Sequence, residues 1–285
     1  MRNFWTVMKL ELFLTSRNWA TWLIALAMIL IGALAAANNR NEPWGSWGQF
    51  IFIGLFLTLI LTFSTGNQVN RDRERKLDGV VFSTPVATPV YVLAKYCSAL
   101  LSLFCLAGLS LLVAVLTDQF YNVPQRVLFL SPVIYPSLGS QAYLSGWAWT
   151  ILVPVIFGAT FMLTVITLTH GKRVVAYSAT LLIWLIPLFT ANSPDNRSGF
   201  IGDITVTSFI PPMDPATDLW FRHLMHPTNL PEAQFVQQIM HLSLAAIPPA
   251  SLVNNLLWNR LLFLALSLVL LTLTIYGVQH ARRHA

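Results

Sequence analysis

Charge is scarce in this chain of 285 residues: 10% are Asp, Glu, Lys or Arg, while 55% are hydrophobic. Soluble globular domains carry about 25% charged residues, so this scarcity excludes an ordinary water-soluble fold. No Asp, Glu or Lys lies in the interior of the long apolar runs; Lys95 and Arg260 sit only at their edges. Ion-coupled carriers and proton pumps keep ionisable groups near mid-membrane. Their lack here argues against ion coupling, so energy for any work must come from outside the chain. A phosphate-binding GxxxxGK[ST] loop is missing, because Gly171-Lys172 has no upstream glycine at the required spacing. HExxH and GxSxG are missing as well. The chain is therefore not expected to hydrolyse ATP, peptides or esters by those routes.

Cysteine is equally sparse. Cys97 and Cys105 fall on one predicted helix, about 12 Å apart along its axis. That separation forbids a disulfide, and both are read as core residues. No cleavable signal peptide is expected, since the first apolar run is long enough to span and has no small-residue cleavage site.

What the chain does have is six apolar runs, at 19–38, 48–66, 91–116, 145–168, 174–191 and 256–279. Crossing a hydrocarbon core of about 30 Å takes about 20 such residues. The predicted fold is an all-α integral membrane domain of six transmembrane helices, occupying the whole of 1–285. Basic residues set the orientation. With the N-terminus inside, Arg2, Lys9, Arg17, Arg71, Arg73, Arg75, Lys76, Lys95, Lys172, Arg173, Arg282 and Arg283 fall on the inner side. Only Arg40, Arg126, Arg197, Arg222 and Arg260 fall outside, and most acidic residues join them there. Both termini come out cytosolic. The pI of about 9.6 thus reflects membrane topology and says nothing for nucleic acid.

Residues 1–18 read as an amphipathic helix at the inner membrane surface. Phe4, Trp5, Met8 and Phe13 would meet lipid or protein, and Arg2, Lys9 and Arg17 would meet phosphates. Trp19, Trp22, Trp44 and Trp47 suit an interfacial aromatic belt. Between the fifth and sixth runs, 192–255 is too rich in proline and polar groups to span. It holds one amphipathic helix candidate at 232–246 and can enter the outer leaflet only where protein covers its backbone. His223 and His226, with Asp214, Asp218 and Glu232 nearby, have metal-ligand character, but Pro227 and a solvated loop explain them more simply. Asn196-Arg197-Ser198 matches a glycosylation acceptor only by a short motif.

The most informative stretch is Asn67–Lys95, of which Asn67–Pro89 reads as a charged connector between two spans. Asp72, Glu74 and Asp78 alternate with Arg71, Arg73, Arg75 and Lys76, while Leu77, Val80 and Val81 recur at helical spacing. A short amphipathic helix ending at Pro85 is predicted. Thr88 and Pro89 then supply an N-cap and first position for the third span. A solvated positive-inside anchor would have this composition too. The mixed signs favour docking to a protein surface of complementary charge.

The order of these features resembles the membrane subunit of ABC-2 type ABC transporters, the type V exporters. The resemblance rests on Glu11 in the surface helix, on Arg73-Glu74-Arg75-Lys76-Leu77-Asp78 followed by Ser83-Thr84-Pro85-Val86, and on Lys95. Leu128–Arg173, Met213-Asp214-Pro215 and Leu257-Trp258-Asn259-Arg260-Leu261-Leu262 extend it over most of the chain. It implies a dimer with a second permease copy or a sister permease, in a bacterial plasma membrane, above two cytosolic ABC ATPase subunits. ATP and Mg would be bound by those partners; no cofactor is expected in this chain. A coupling helix at about 72–83, with Asp72, Arg73, Glu74, Arg75, Lys76, Leu77, Asp78 and Val81, would enter a groove of the ATPase. His170, Lys172 and Arg173, in the turn 169–173, would lie close by. The 192–255 segment would form external re-entrant helices. The function implied is ATP-driven export of an amphipathic, lipid-like, peptide or drug cargo. A facilitative or ion-coupled carrier, and an ABC-like complex that moves no cargo, stay open as alternatives.

Overall fold

The computed structural model describes residues 2–41, 46–74, 86–120, 140–169, 171–191, 202–205 and 253–283. The elements in these stretches are all helical. In chain order they are α1 (Arg2–Ser16), α2 (Trp19–Asn41), α3 (Ser46–Glu74), α4 (Thr88–Phe120) and α5 (Ser140–Trp147). A π-helical turn (Ala148–Leu152) leads into α6 (Val153–Leu168), followed by α7 (Arg173–Ala191) and α8 (Val253–Arg283). Every apolar run falls within a helix, the fourth within the continuous α5–π–α6 rod. Trp19–Ala37, Thr88–Phe120, Tyr143–Leu168 and Asn254–His280 are long and apolar enough to cross a membrane. Ile53–Gly66 in α3 and Arg173–Ile186 in α7 are shorter apolar stretches.

A helix forms over Arg2–Ser16, but its faces differ from the expected division. Glu11 and Thr15 point inward against the bundle, whereas Trp5, Leu10 and Phe13 are exposed beside Lys9 and Arg17. The Arg17 guanidinium lies 4.3 Å from the Phe13 ring centroid, so the basic and aromatic groups share one face. A hard elbow follows. Asn18 caps α2 by accepting from the N–H of Ala20, and Thr21 Oγ1 and Trp22 Nε1 donate to the carbonyls of Thr15 and Ser16. These bonds satisfy the carbonyls that the end of α1 leaves without helical partners.

The connector after the second span begins later than expected. α3 runs without a break to Glu74, because Asn67–Glu74 contains no Gly or Pro to stop it. Asp72, Arg73 and Glu74 thus form its last turn rather than the start of a separate helix.

Within the bundle, α1 and α2 pack on α4, while α3, α7 and α8 pack around α6. About two thirds of the Tyr143–Leu168 window (67%) is buried, against 17–33% for the other three long spans, which makes the α5–α6 rod the axis. One core joins Met28, Leu57, Leu61, Leu103, Ile151 and Ala159. A second joins Leu55, Val153, Phe157, Trp184, Ile204 and Phe263. Trp184 is fully buried, and its indole N–H donates to Thr58 Oγ1 at 3.1 Å. Cys97 is half-buried and Cys105 exposed, so the second cysteine faces outward and is not a core residue.

Gly32 lets α2 approach α4 closely: a Cβ there would collide with the backbone carbonyl of Ser110. Without a hydrophobic drive between helices in lipid, such close contacts hold helices together. Gly108, also on α4, has nothing within 4 Å of a built Cβ. Gly32→Ala is therefore expected to destabilise the detergent-solubilised protein by about 1–3 kcal/mol, while Gly108→Ala leaves it unchanged or slightly more stable. Thermal melting followed by size-exclusion chromatography reads both.

Candidate functional site

α1 and the last turn of α8 both meet α4 near its first turns, at one end of the bundle. The first turns of α4 form its centre. Lys95 Nζ lies 3.6 Å from Glu11 Oε1 and donates to Tyr91 Oη at 3.3 Å. Both charged side chains are under a tenth exposed. The pair thus ties α1 to α4 through two charges withdrawn from water. About two turns nearer the connector, Arg282 of α8 donates from Nη1 to the carbonyl of Val86 at 2.7 Å and to Thr88 Oγ1 at 3.2 Å. The residues where the connector returns to the bundle are therefore held by the last turn of the last helix.

The turn between α6 and α7 lies at the same end, since Gly277 of α8 approaches Thr167 and Leu168. Thr169 donates its backbone N–H to Val165, and the Gly171 N–H reaches back to Ile166 at 2.8 Å. Gly171 has φ 88°, a conformation that favours glycine. Lys172 is exposed, and its carbonyl accepts from Ala176 in the first turn of α7. Arg173 opens α7 and is half-buried.

A second polar cluster sits at the opposite end. The residue five beyond Trp149, the donor position for its carbonyl in a π turn, is Pro154, which has no N–H. Arg260 of α8 fills that place, donating from Nη2 to the Trp149 carbonyl. It also donates from Nη1 to the carbonyl of Ile204 at 3.3 Å and to Asn259 Oδ1 at 3.2 Å. Asn259 donates to the Asp203 carbonyl at 2.7 Å, and Thr205 donates from its N–H and its hydroxyl to Asp203 Oδ1. All these polar side chains are buried. The cluster stitches the 202–205 segment to α8 and the π turn.

Of the residues expected to dock a partner, Asp72, Arg73 and Glu74 end α3, and Lys172 and Arg173 lie at the α6–α7 turn. Arg75, Lys76, Leu77, Asp78, Val81 and His170 lie outside the described residues. So do the candidate helix at 232–246 and the group of His223, His226, Asp214, Asp218 and Glu232. Among the described residues no group of three or more His, Cys, Asp or Glu could hold a metal ion. Sequence reasoning missed Arg282, whose partners lie more than 190 positions away. Its only visible signal was a basic residue in a terminal helical turn. Asp203 carried no signal, and Asn259 appeared only within the Leu257–Leu262 stretch of the family resemblance.

A bundle of apolar helices with its charged groups paired at the two ends defines a multi-pass membrane protein. Residues 7–201, more than half of the chain, match the family of ABC-2 family transporter proteins. The chain belongs to that family, and so is a permease of an ABC transporter, a membrane subunit that partners an ATPase subunit. No curated protein matches the chain.

Breaking a buried ion pair from one side leaves an unpaired charge and costs about 3–5 kcal/mol. Lys95→Met and Glu11→Gln are each expected to lower thermal stability in detergent. The double variant should lose clearly less than the sum of the two. A double-mutant cycle on melting temperature measures that coupling; additive losses would show that the pair contributes nothing as a pair.

Proposed function

We propose that this chain is the membrane subunit of an ATP-driven exporter, with six spans, both termini in the cytosol and a place in a bacterial plasma membrane. The observation that carries the reading is the family match over residues 7–201. The junction of α1, α4 and α8 beside the connector supports it, because force delivered at the connector would reach three helices at once. Two permeases, either two copies or this chain with a sister, stand above two ATPase subunits that bind ATP and Mg. The segment from Asp72 to Val81 enters a groove of the ATPase, and the turn His170–Arg173 lies next to it. ATP binding closes the two ATPases on each other, the connectors move with them, and the helices rearrange to release cargo outward. Cargo is an amphipathic, lipid-like, peptide or drug molecule, held by apolar and aromatic side chains between the two permeases.

Leu77 and Asp78 are the residues on which docking is proposed to depend most. Purification of the tagged chain from its native membrane in mild detergent is expected to recover an ABC ATPase in stoichiometric amount. The Leu77→Ala, Asp78→Ala variant should recover severalfold less, or recover it with ATP hydrolysis no longer tied to transport. Full recovery and unaltered transport in that variant would remove the docking role. Absence of any ATPase from an intact complex would favour a carrier that works without one.

A further inference from the structure

We infer that Arg282 is a positioning residue for coupling: it makes the last helix follow the connector directly, without transmission through the rest of the bundle. The inference rests on the exporter reading above and adds the route by which motion reaches α8. Three observations place the route at this side chain. First, Val86 and Thr88 are where the connector rejoins the bundle, and Thr88 is the first residue of α4. Second, Arg282 binds both of them from one guanidinium nitrogen, with 2.7 Å to the Val86 carbonyl and 3.2 Å to the Thr88 hydroxyl. Third, α8 otherwise packs mainly on α6, with a smaller contact on α4.

The chemistry suits a mechanical link. A guanidinium is planar and presents its donors in a rigid fork, so it holds two acceptors in a fixed geometry. A hydrogen bond from a charged donor is stronger than a neutral one, and here the acceptor is a backbone carbonyl, which moves with the chain itself. A second tie at this end, Lys95 to Glu11, joins α1 to α4. Cutting at Arg282 therefore removes the hydrogen-bonded link between α8 and the start of α4.

The test uses the permease purified with its ABC ATPase and reconstituted in lipid nanodiscs. A fluorophore is placed on Cys105 of α4, with Cys97 changed to alanine. In a second variant it is placed on α8 through Tyr276→Cys, with both native cysteines changed to alanine. Cys105 is exposed and Tyr276 is 68% exposed, so neither label displaces core packing. ATP with vanadate is expected to shift the signal at both positions. In Arg282→Gln the shift at 276 should be lost while the shift at 105 remains, and Arg282→Lys should restore the shift at 276. Thr88→Val is the milder cut, removing only the hydroxyl acceptor, and should reduce the 276 shift partially; it also serves if Arg282→Gln does not fold. A 276 shift that persists in Arg282→Gln, or that is undiminished in Thr88→Val where that variant alone folds, overturns the inference. Loss of both shifts together overturns it too, since that marks a general structural role. Lack of any ATP-dependent shift in the protein with Arg282 and Thr88 intact overturns the exporter reading, and this inference with it.

Discussion

In a hydrocarbon medium every polar group must find its partner within the protein, and the arrangement of this bundle follows from that constraint. The spans contain more polar side chains than their lack of charge suggests. Thr58, Thr62, Thr65, Ser98, Ser110, Thr150, Thr160, Thr180 and Ser267 are all buried. Each folds its hydroxyl back onto a carbonyl three or four residues earlier in its own helix. Bonded in this way, a hydroxyl presents little more than a methyl-sized surface to its neighbours. The bundle can therefore pack as an apolar one. Where a hydroxyl also reaches across, it marks a joint: Trp184 donates to Thr58, and Thr164 Oγ1 lies 2.9 Å from Thr274 Oγ1. Both joints fasten a helix to the buried centre of the bundle, which matters because lipid supplies no hydrophobic drive for helix association.

The same constraint governs charge. A Lys or Arg near the end of a helix is far less costly than one at the bilayer centre, and the buried cations of this chain obey that rule. Lys95 lies two turns into α4 and meets Glu11; Arg260 lies two turns into α8 and meets three carbonyl-type oxygens. Each serves an element that is not itself a span. Glu11 belongs to the surface helix, and Ile204 belongs to the segment between α7 and α8. Charged contacts thus fasten the accessory parts to the bundle and, through Arg260 and Arg282, also join α8 to the π turn and to the start of α4, while hydroxyls and apolar side chains hold the helices along their length.

Much of this was legible in the sequence, and the limits are physical. The six apolar runs correspond to helices because length and hydropathy are local properties of the chain. The N-terminal helix was visible for the same reason, but not its rotation. Seven residues from Trp5 to Glu11 carry apolar and charged groups on every side, so composition alone could not say that Glu11 turns inward to Lys95. The connector showed its charge pattern but not its start, because Asn67–Glu74 is as compatible with helix as with loop until α3 is seen to continue through it. Pro154 was visible as a residue within a span; that it would open a π turn and free a carbonyl for Arg260 depends on a contact between α8 and α6. The polar clusters at the two ends were illegible because their members lie far apart in the chain and meet only through the tertiary fold.

α8 is held by an arginine near each of its ends. Arg260 and Arg282 are about 33 Å apart along a straight helix at 1.5 Å per residue, close to the thickness of a hydrocarbon core. The first holds the 202–205 segment and the π turn, and the second holds the connector's return to α4. Between them, exposed Leu266, Leu268, Val269 and Leu273 make the outward face apolar, and the inward side is pinned to α6 at Thr274. A rod with an apolar outer face can slide or tilt against lipid at little cost, whereas its polar ends cannot let go without leaving buried groups unpaired. Displacement at one end of such a rod is therefore carried to the other. Such a rod joins the connector's end of the bundle to the opposite end.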